Sequence, residues 1–183
     1  MTIEIPDPSL VLLIGSSGAG KSTFAARHFQ PTEVVSSDRC RAIICDDESD
    51  QTINSETFGL LHHIARLRLQ QQRLTVVDAT NLQFRARRPL LRMARAHQVP
   101  IVAVVFRVPL ETCLAHNQSR PERQVSQEVL ALHQQQLDTV LLELDRARLD
   151  REGYSQIYVI EKSDLANLAV RKLRRGAESE PDK

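Results

Sequence analysis

Apolar and polar positions along the 183-residue chain follow two different spacings. Short, nearly continuous apolar runs occur at Leu10–Ile14, Glu33–Ser36, Leu74–Asp78, Ile101–Phe106 and Ile157–Ile160. Runs of this kind suit strands covered on both faces, as in a parallel sheet. Between them lie longer stretches suited to helices, from Thr23 to about Phe29, Arg39 to Ile44, Ser55 to Gln72, Arg85 to Gln98 and Leu110 to Gln118. In the third of these, Phe58, Leu61, Ile64, Leu67 and Leu69 recur near a 3.6-residue period. Pro89 strains the fourth, because proline sits comfortably only near a helix start.

A long helix is expected from about Ser126 to Arg151, ended by Gly153, with Leu130, Leu137, Leu141 and Leu144 as core contacts. Self-association through it stays open. Ser163 can cap a basic terminal helix reaching Arg175. Residues 2–8, with two prolines, read as a lead-in, Cys45 to Asp50 as an exposed acidic loop, and 176–183 as a disordered tail. The alternation of strand and helix predicts an α/β fold, a five-stranded parallel sheet sandwiched between helices, in one domain over 1–175.

Composition adds limits rather than a function. Hydrophobic content of 42% and charged content of 26% are those of a globular protein with an ordinary core. The net charge of +1 gives no global attraction to polyanions, so any such binding must come from local clusters. Trp is absent and aromatics make up 4%, which argues against a broad base-stacking platform. Cys40, Cys45 and Cys113 are odd in number and lack C-x-x-C spacing, against a disulfide framework or zinc site. The start MTIEIPDPS has no signal-like core, and no apolar run is long enough to span a bilayer, so a cytoplasmic protein is expected.

The sharpest chemical signal follows the first strand. Gly15, Ser16, Ser17, Gly18, Ala19, Gly20, Lys21 and Ser22 match G-x-x-x-x-G-K-[ST], between a strand and a helix beginning near Thr23. This is the context a P-loop requires. Glycines let the backbone approach an anion, and successive N–H groups at a helix N-terminus surround phosphate oxygens. Lys21 adds charge near the β- and γ-phosphates, and the Ser22 hydroxyl is placed to ligate Mg²⁺. ATP with Mg²⁺ is the expected cofactor pair.

Two carboxylates at strand ends select the chemistry. Ligands of parallel sheets bind beyond the C-terminal strand ends, so Asp38 and Asp78 converge on the loop. Asp38 is the candidate general base, or the N-cap of the short helix after it; both can hold together. Arg41, three residues on, either grips a phosphate of the acceptor or pairs locally with Asp38 and the acidic loop. Asp78 either holds a Mg²⁺-bound water or orders Ser22, Thr80 and Asn81, and Asn81 is a candidate substrate contact. Arg85, Arg88, Arg92 and Arg95 share a helix face, either solvated or facing a nucleic-acid backbone.

GSSGAGKSTFA, VVSSDRCR, DDESDQT, LTVVDATN and the R-x-x-R-Q-V of Arg120 to Val125 occur in this order. Together they resemble the kinase module of bacterial polynucleotide kinase–phosphatase RNA-repair enzymes, over nearly the whole chain to about residue 165. The resemblance implies a P-loop kinase fold with a helical lid at about 117–127. It implies an ATP-dependent kinase of 5′-hydroxyl RNA or DNA ends, with Asp38 as base and Arg41 on the acceptor phosphate. It also implies Arg123 on the ATP phosphates and Arg120 against the nucleotide. His116 stands where the relatives lead one to expect arginine. The phosphatase and ligase domains of those enzymes are absent from this chain, which makes it a free-standing kinase, with such enzymes as separate partners, or an excised domain. Kinases of a sugar, nucleoside or antibiotic hydroxyl share the loop, the second-strand aspartate and the lid, and are the rival reading. A nucleotide-driven switch is the third.

Overall fold

The computed structural model describes residues 1–119, 125–145 and 152–174. Five strands form a wholly parallel sheet: β2 (Leu10–Ile14), β3 (Val34–Ser36), β4 (Thr75–Asp78), β5 (Ile101–Arg107) and β6 (Gln156–Glu161). Their spatial order is β3-β4-β2-β5-β6. β2 is central, and the order of the chain reverses beside it, the place where parallel sheets open a crevice.

The five residues of β2 are fully buried, and they divide between two cores. Leu10, Leu12 and Ile14 face one side, Val11 and Leu13 the other, as the two-residue repeat of a strand requires. On the first side pack α2 (Ser37–Cys45), α3 (Asn54–Gln70), α4 (Phe84–Ala96) and α6 (Gln127–Asp145). On the second pack α1 (Lys21–His28) and α5 (Leu110–Gln118), with Phe24 set edge-on to Phe29 and Phe106.

The expected α/β architecture holds, and several details differ. The inward face of α3 is Thr57, Leu61, Ala65 and Leu69, a strict i, i+4 row, while Leu67 is exposed. Pro89 lies within α4 rather than at its start, so the carbonyl of Arg85 loses its usual i+4 donor while the helix continues. In α6, Leu130 and Leu137 are buried and Leu141 packs at the core edge; the expected end at Arg151 falls outside the described residues.

The largest correction lies at the two ends of the chain. Residues 2–8 are not a lead-in: Thr2–Asp7 is a strand, β1. Ala169–Arg174 is not helix but β7, paired in parallel with β1 in a second sheet. Ile3 and Ile5 are fully buried in the second core, alternating with Thr2, Glu4 and Pro6. Such a two-stranded ribbon is marginal by itself and needs a surface to lie on. Here the Tyr158 hydroxyl donates to the Glu4 carbonyl at 3.0 Å and accepts from the Glu4 N–H at 3.1 Å. Lys172 pairs with Glu33 at 2.6 Å and stands over the Phe29 ring. These contacts are long-range, so the basic run 171–174 read as helix when taken alone.

Candidate active site

The loop between β2 and α1 carries its conformation in its glycines. Gly20, at φ +90°, is the N-cap of α1, and its left-handed backbone turns the following amides toward the crevice. Gly18 has φ +79°, and a Cβ there would come within 2.5 Å of the Cys113 carbonyl oxygen. Glycine is thus required at Gly18 twice, by torsion and by the close approach of α5. His116, also on α5, sits 2.8 Å from the Gly18 carbonyl through Nδ1. A carbonyl only accepts, so the proton is on Nδ1. The Gly15 N–H donates to the Thr80 carbonyl, tying the loop to the segment after β4.

Lys21 is buried, and its Nζ donates to the carbonyls of Gly15 at 2.9 Å and Ser16 at 2.7 Å. The ammonium therefore lies inside the curve of the loop. One polar cleft is lined by Ser17, Gly18, Gly20, Lys21, Ser22, Ser37, Asp38, Asp78, Ala79 and Thr80. The fold thus unites the loop lysine and serine with the two strand-end carboxylates, which are distant in sequence.

In the second-strand motif the N-cap expected of Asp38 falls to another residue. Ser36, not Asp38, caps α2, accepting from the Arg39 N–H. Asp38 lies in the first turn, with its side chain accepting from the Ser37 hydroxyl at 3.3 Å and from Arg41 at 3.2 Å. The Arg41 side chain is only 3% exposed. It also donates to the Glu48 carbonyl at 3.0 Å and to Asn54 Oδ1 at 2.9 Å, so one guanidinium joins the carboxylate, the acidic loop and the start of α3. This is the local pairing that the sequence left open for Arg41. The acidic loop is itself ordered by Asx turns. Ser49 donates to Asp47 and Thr52 to Asp50, and these bonds hold both carboxyls below their usual range.

Asn81 is placed differently from the substrate contact expected of it. It is buried, does not line the cleft, and its amide donates to the Leu13 carbonyl at 2.8 Å, joining β4's exit to β2. A short polar side chain also tolerates its φ of +50°. Arg120 and Arg123 lie outside the described residues. The ends of the segment carrying them are joined: Asn117 and Val125 exchange two hydrogen bonds, of 2.8 and 2.9 Å.

A second pocket adjoins the other side of the loop, lined by Gly18, Gly20, Thr23, Phe24, Arg27, His28, His116, Ser119 and Leu165. Thr23 was the expected nucleotide contact among these, and His116 stands where the resemblance leads one to expect arginine; Arg27, His28 and Leu165 carry no signal in the sequence. The His28 imidazole is held below its ordinary value by burial and by neighbouring Arg27. A further functional-looking group was missed entirely. Arg87, fully buried on α4, forms a two-point pair with Glu152, at 2.6 and 3.0 Å, and donates to the carbonyls of Asn81 and Leu82. The stripe Arg85, Arg88, Arg92 and Arg95 hid it, since its own position falls between them.

Chemically, the cleft offers the backbone of the glycine-rich loop, a buried ammonium, hydroxyls and two carboxylates. A loop of this kind at the central strand of a parallel sheet, closed on one side by α5, defines a P-loop nucleotide-binding protein with the kinase fold. The chain belongs to the AAA domain family, which it matches over residues 10–140.

Solved structures carry the same fold. A chain of the Pnkp1/Rnl/Hen1 RNA repair complex aligns at a TM-score of 0.64 and 21% identity, over 74% of this chain and 46% of that one. AvrRxo1-ORF1:-ORF2 with ATP aligns at 0.61 and 15%, over 84% of this chain and 55% of that one. A structure of the PezAT toxin–antitoxin system of Streptococcus pneumoniae aligns at 0.57 and 12%, over 86% and 69%. The chain thus spans about half the length of the first two. At these identities the likeness is one of fold. No curated protein matches the sequence significantly. Among the described residues no helix is long and apolar enough to cross a membrane.

Proposed function

We propose that this protein is an ATP-dependent polynucleotide kinase that transfers the γ-phosphate of ATP to the 5′-hydroxyl of RNA or DNA. The observation that carries the reading is the placement of Asp38 in the same cleft as Lys21, Ser22 and Asp78. The joint occurrence of SSD-x-x-R and R-x-x-R-Q-V supports the polynucleotide acceptor.

In this mechanism the loop amides and Lys21 hold the β- and γ-phosphates, exchanging the carbonyls that Lys21 now contacts for phosphate oxygens. Asp38 accepts the proton of the 5′-hydroxyl as that oxygen bonds to the γ-phosphorus. The bond from the γ-phosphorus to its bridging oxygen breaks, and ADP leaves with the electron pair. A hydroxyl and a carboxylate facing one polar cleft form a donor set suited to a hard cation, so Ser22 and, through water, Asp78 would hold Mg²⁺. Bound there, Mg²⁺ neutralises phosphate charge. Arg123 stabilises the transferring phosphoryl group and Arg120 the nucleotide. A lid arginine of this kind acts in the transition state, so Arg123→Ala lowers kcat more than it weakens ATP binding.

One observation favours a second reading. Both terminal nitrogens of Arg41 are engaged by Asp38, Glu48 and Asn54, an arrangement that suits an acceptor with no phosphate to grip, such as a small-molecule hydroxyl. Incubation with radiolabelled ATP and a single-stranded oligonucleotide bearing a 5′-hydroxyl tests the proposal. Label on the oligonucleotide is the expected result. Label only on a sugar, nucleoside or antibiotic points to the second reading, and ATP hydrolysis without transfer overturns both.

A further inference from the structure

We infer that the groove along α4 is a track for single-stranded nucleic acid, binding the acceptor strand on the 3′ side of its reacting end. The inference rests on the polynucleotide reading above and extends it away from the catalytic cleft. The groove is lined by Phe84, Arg88, Leu91, Arg92 and Arg95 of α4, with Glu143 and Glu152 opposite. The α4 residues run along one helical face from its first residue nearly to its last, a length of roughly 17 Å at 1.5 Å per residue.

Three features make this groove more than a solvated charged face. First, it begins where the cleft ends. Ala79 and Thr80 line the cleft, and after Asn81 to Gln83 the chain enters α4 at Phe84. The intervening turn is held rigidly, since Arg87 donates to the carbonyls of Asn81 and Leu82 from the core. Second, its positive charge is uncompensated at the near end. Arg88 and Arg92 are exposed and have no hydrogen-bond or ion-pair partner among the described residues. Glu152 is neutralised by Arg87 and accepts from Tyr154, so among the described lining residues the Glu143 carboxylate is the one left to oppose the guanidinium row. Third, Phe84 is 51% exposed at the mouth, a costly placement for a phenyl ring in water but a useful one for a base to stack upon. Arginines spaced one helical turn apart beside an exposed ring match the two features of a single strand, a phosphate row and flat bases. Both RNA and DNA present these.

The test compares a 5′-hydroxyl dinucleotide with a 5′-hydroxyl decamer as acceptors for the full chain and for Arg88→Ala/Arg92→Ala. The double variant is expected to raise KM for the decamer on the order of tenfold with kcat retained, and to leave the dinucleotide KM alone. Unchanged dinucleotide kinetics also report that the variant is folded. Anisotropy of a 3′-labelled decamer is expected to lose about 1.4 from its log affinity–log salt slope, at about 0.7 per lost phosphate contact. Arg88→Lys/Arg92→Lys should restore most of that slope. A decamer KM that does not change, or a dinucleotide KM that rises equally, overturns the track and leaves the kinase reading standing. A polyglutamate peptide bound as tightly as the decamer overturns it in favour of an acidic protein segment. Wild-type protein that transfers to neither acceptor overturns the polynucleotide reading, and the track with it.

Discussion

Asp38 and Arg41 form a pair in which one partner is open to the cleft and the other is buried. Asp38 keeps a quarter of its side chain exposed to the cleft, while Arg41 keeps almost none. Asp38→Asn should therefore lower phosphoryl transfer on the order of 10²–10⁴-fold, as removal of a general base does, with ATP binding retained because the loop is untouched. Transfer assays beside nucleotide titration check this; near-normal turnover removes Asp38 as the base. A structural pair of the opposite kind is Arg87 with Glu152. Arg87 is fully buried and meets the carboxylate at two points, and the contact with Glu152 raises its already high pKa against the desolvation that lowers it. Removing one partner strands a charge in the core, so Glu152→Gln should cost about 3–5 kcal/mol in a urea titration. The Tyr154 hydroxyl, pushed up from its ordinary value chiefly by burial, donates to Glu152 at 3.0 Å.

Among the elements, the β1–β7 ribbon alters the picture most. It joins the two ends of the chain and covers the second core with Ile3 and Ile5. If it were a lead-in, shortening Ile5 would cost nothing. As a buried strand residue with no exposure, Ile5→Ala should destabilise the protein by about 2–5 kcal/mol, measured as a lowered denaturant midpoint at unchanged slope. An unchanged midpoint would return residues 2–7 to the status of a tail. α5 is the other element whose role exceeds its length. It offers the Cys113 carbonyl to Gly18 and the His116 ring to the Gly18 carbonyl, so the phosphate loop is shaped partly from outside itself. Gly18→Ala should then abolish nucleotide binding, since the added carbon meets rigid backbone rather than a movable side chain. Retained binding in that variant would mean that α5 yields.

At the scale of the whole molecule, the sheet separates two cores while its C-terminal edge gathers the polar groups. Histidines half-buried against these cores link stability to pH. Burial lowers the His62 pKa, and burial with Arg27 lowers that of His28. For a lowered folded value the unfolded chain binds more protons, so stability is full above the unfolded value of about 6.5 and falls as pH drops from there through the folded values. His62→Gln should lose less stability than the wild type between pH 7.5 and 5.5 in parallel urea titrations. Equal losses would show that His62 remains hydrated in the fold.

The sequence by itself determined what depends on contiguous residues. The two-residue alternation of β2, the loop from Gly15 to Ser22 and the strand-end positions of Asp38 and Asp78 are all local, and local patterning together with the right-handed crossover places them on one edge. The tertiary structure alone decided what depends on partners far along the chain. β7 is a strand because β1, more than 160 residues away, offers it an unpaired edge. Arg87 is buried because Glu152 comes to meet it, and nothing in the α4 sequence separates it from its exposed neighbours. Arg41 turned to Glu48 and Asn54 because the loop after α2 folds back over it. Asn81 went to the backbone of β2 because the chain leaving β4 buries its side chain, and a buried amide must find an acceptor, here the Leu13 carbonyl. In each case the deciding free energy is that of satisfying a buried polar group, and which group can do so is settled only when the chain is closed around it.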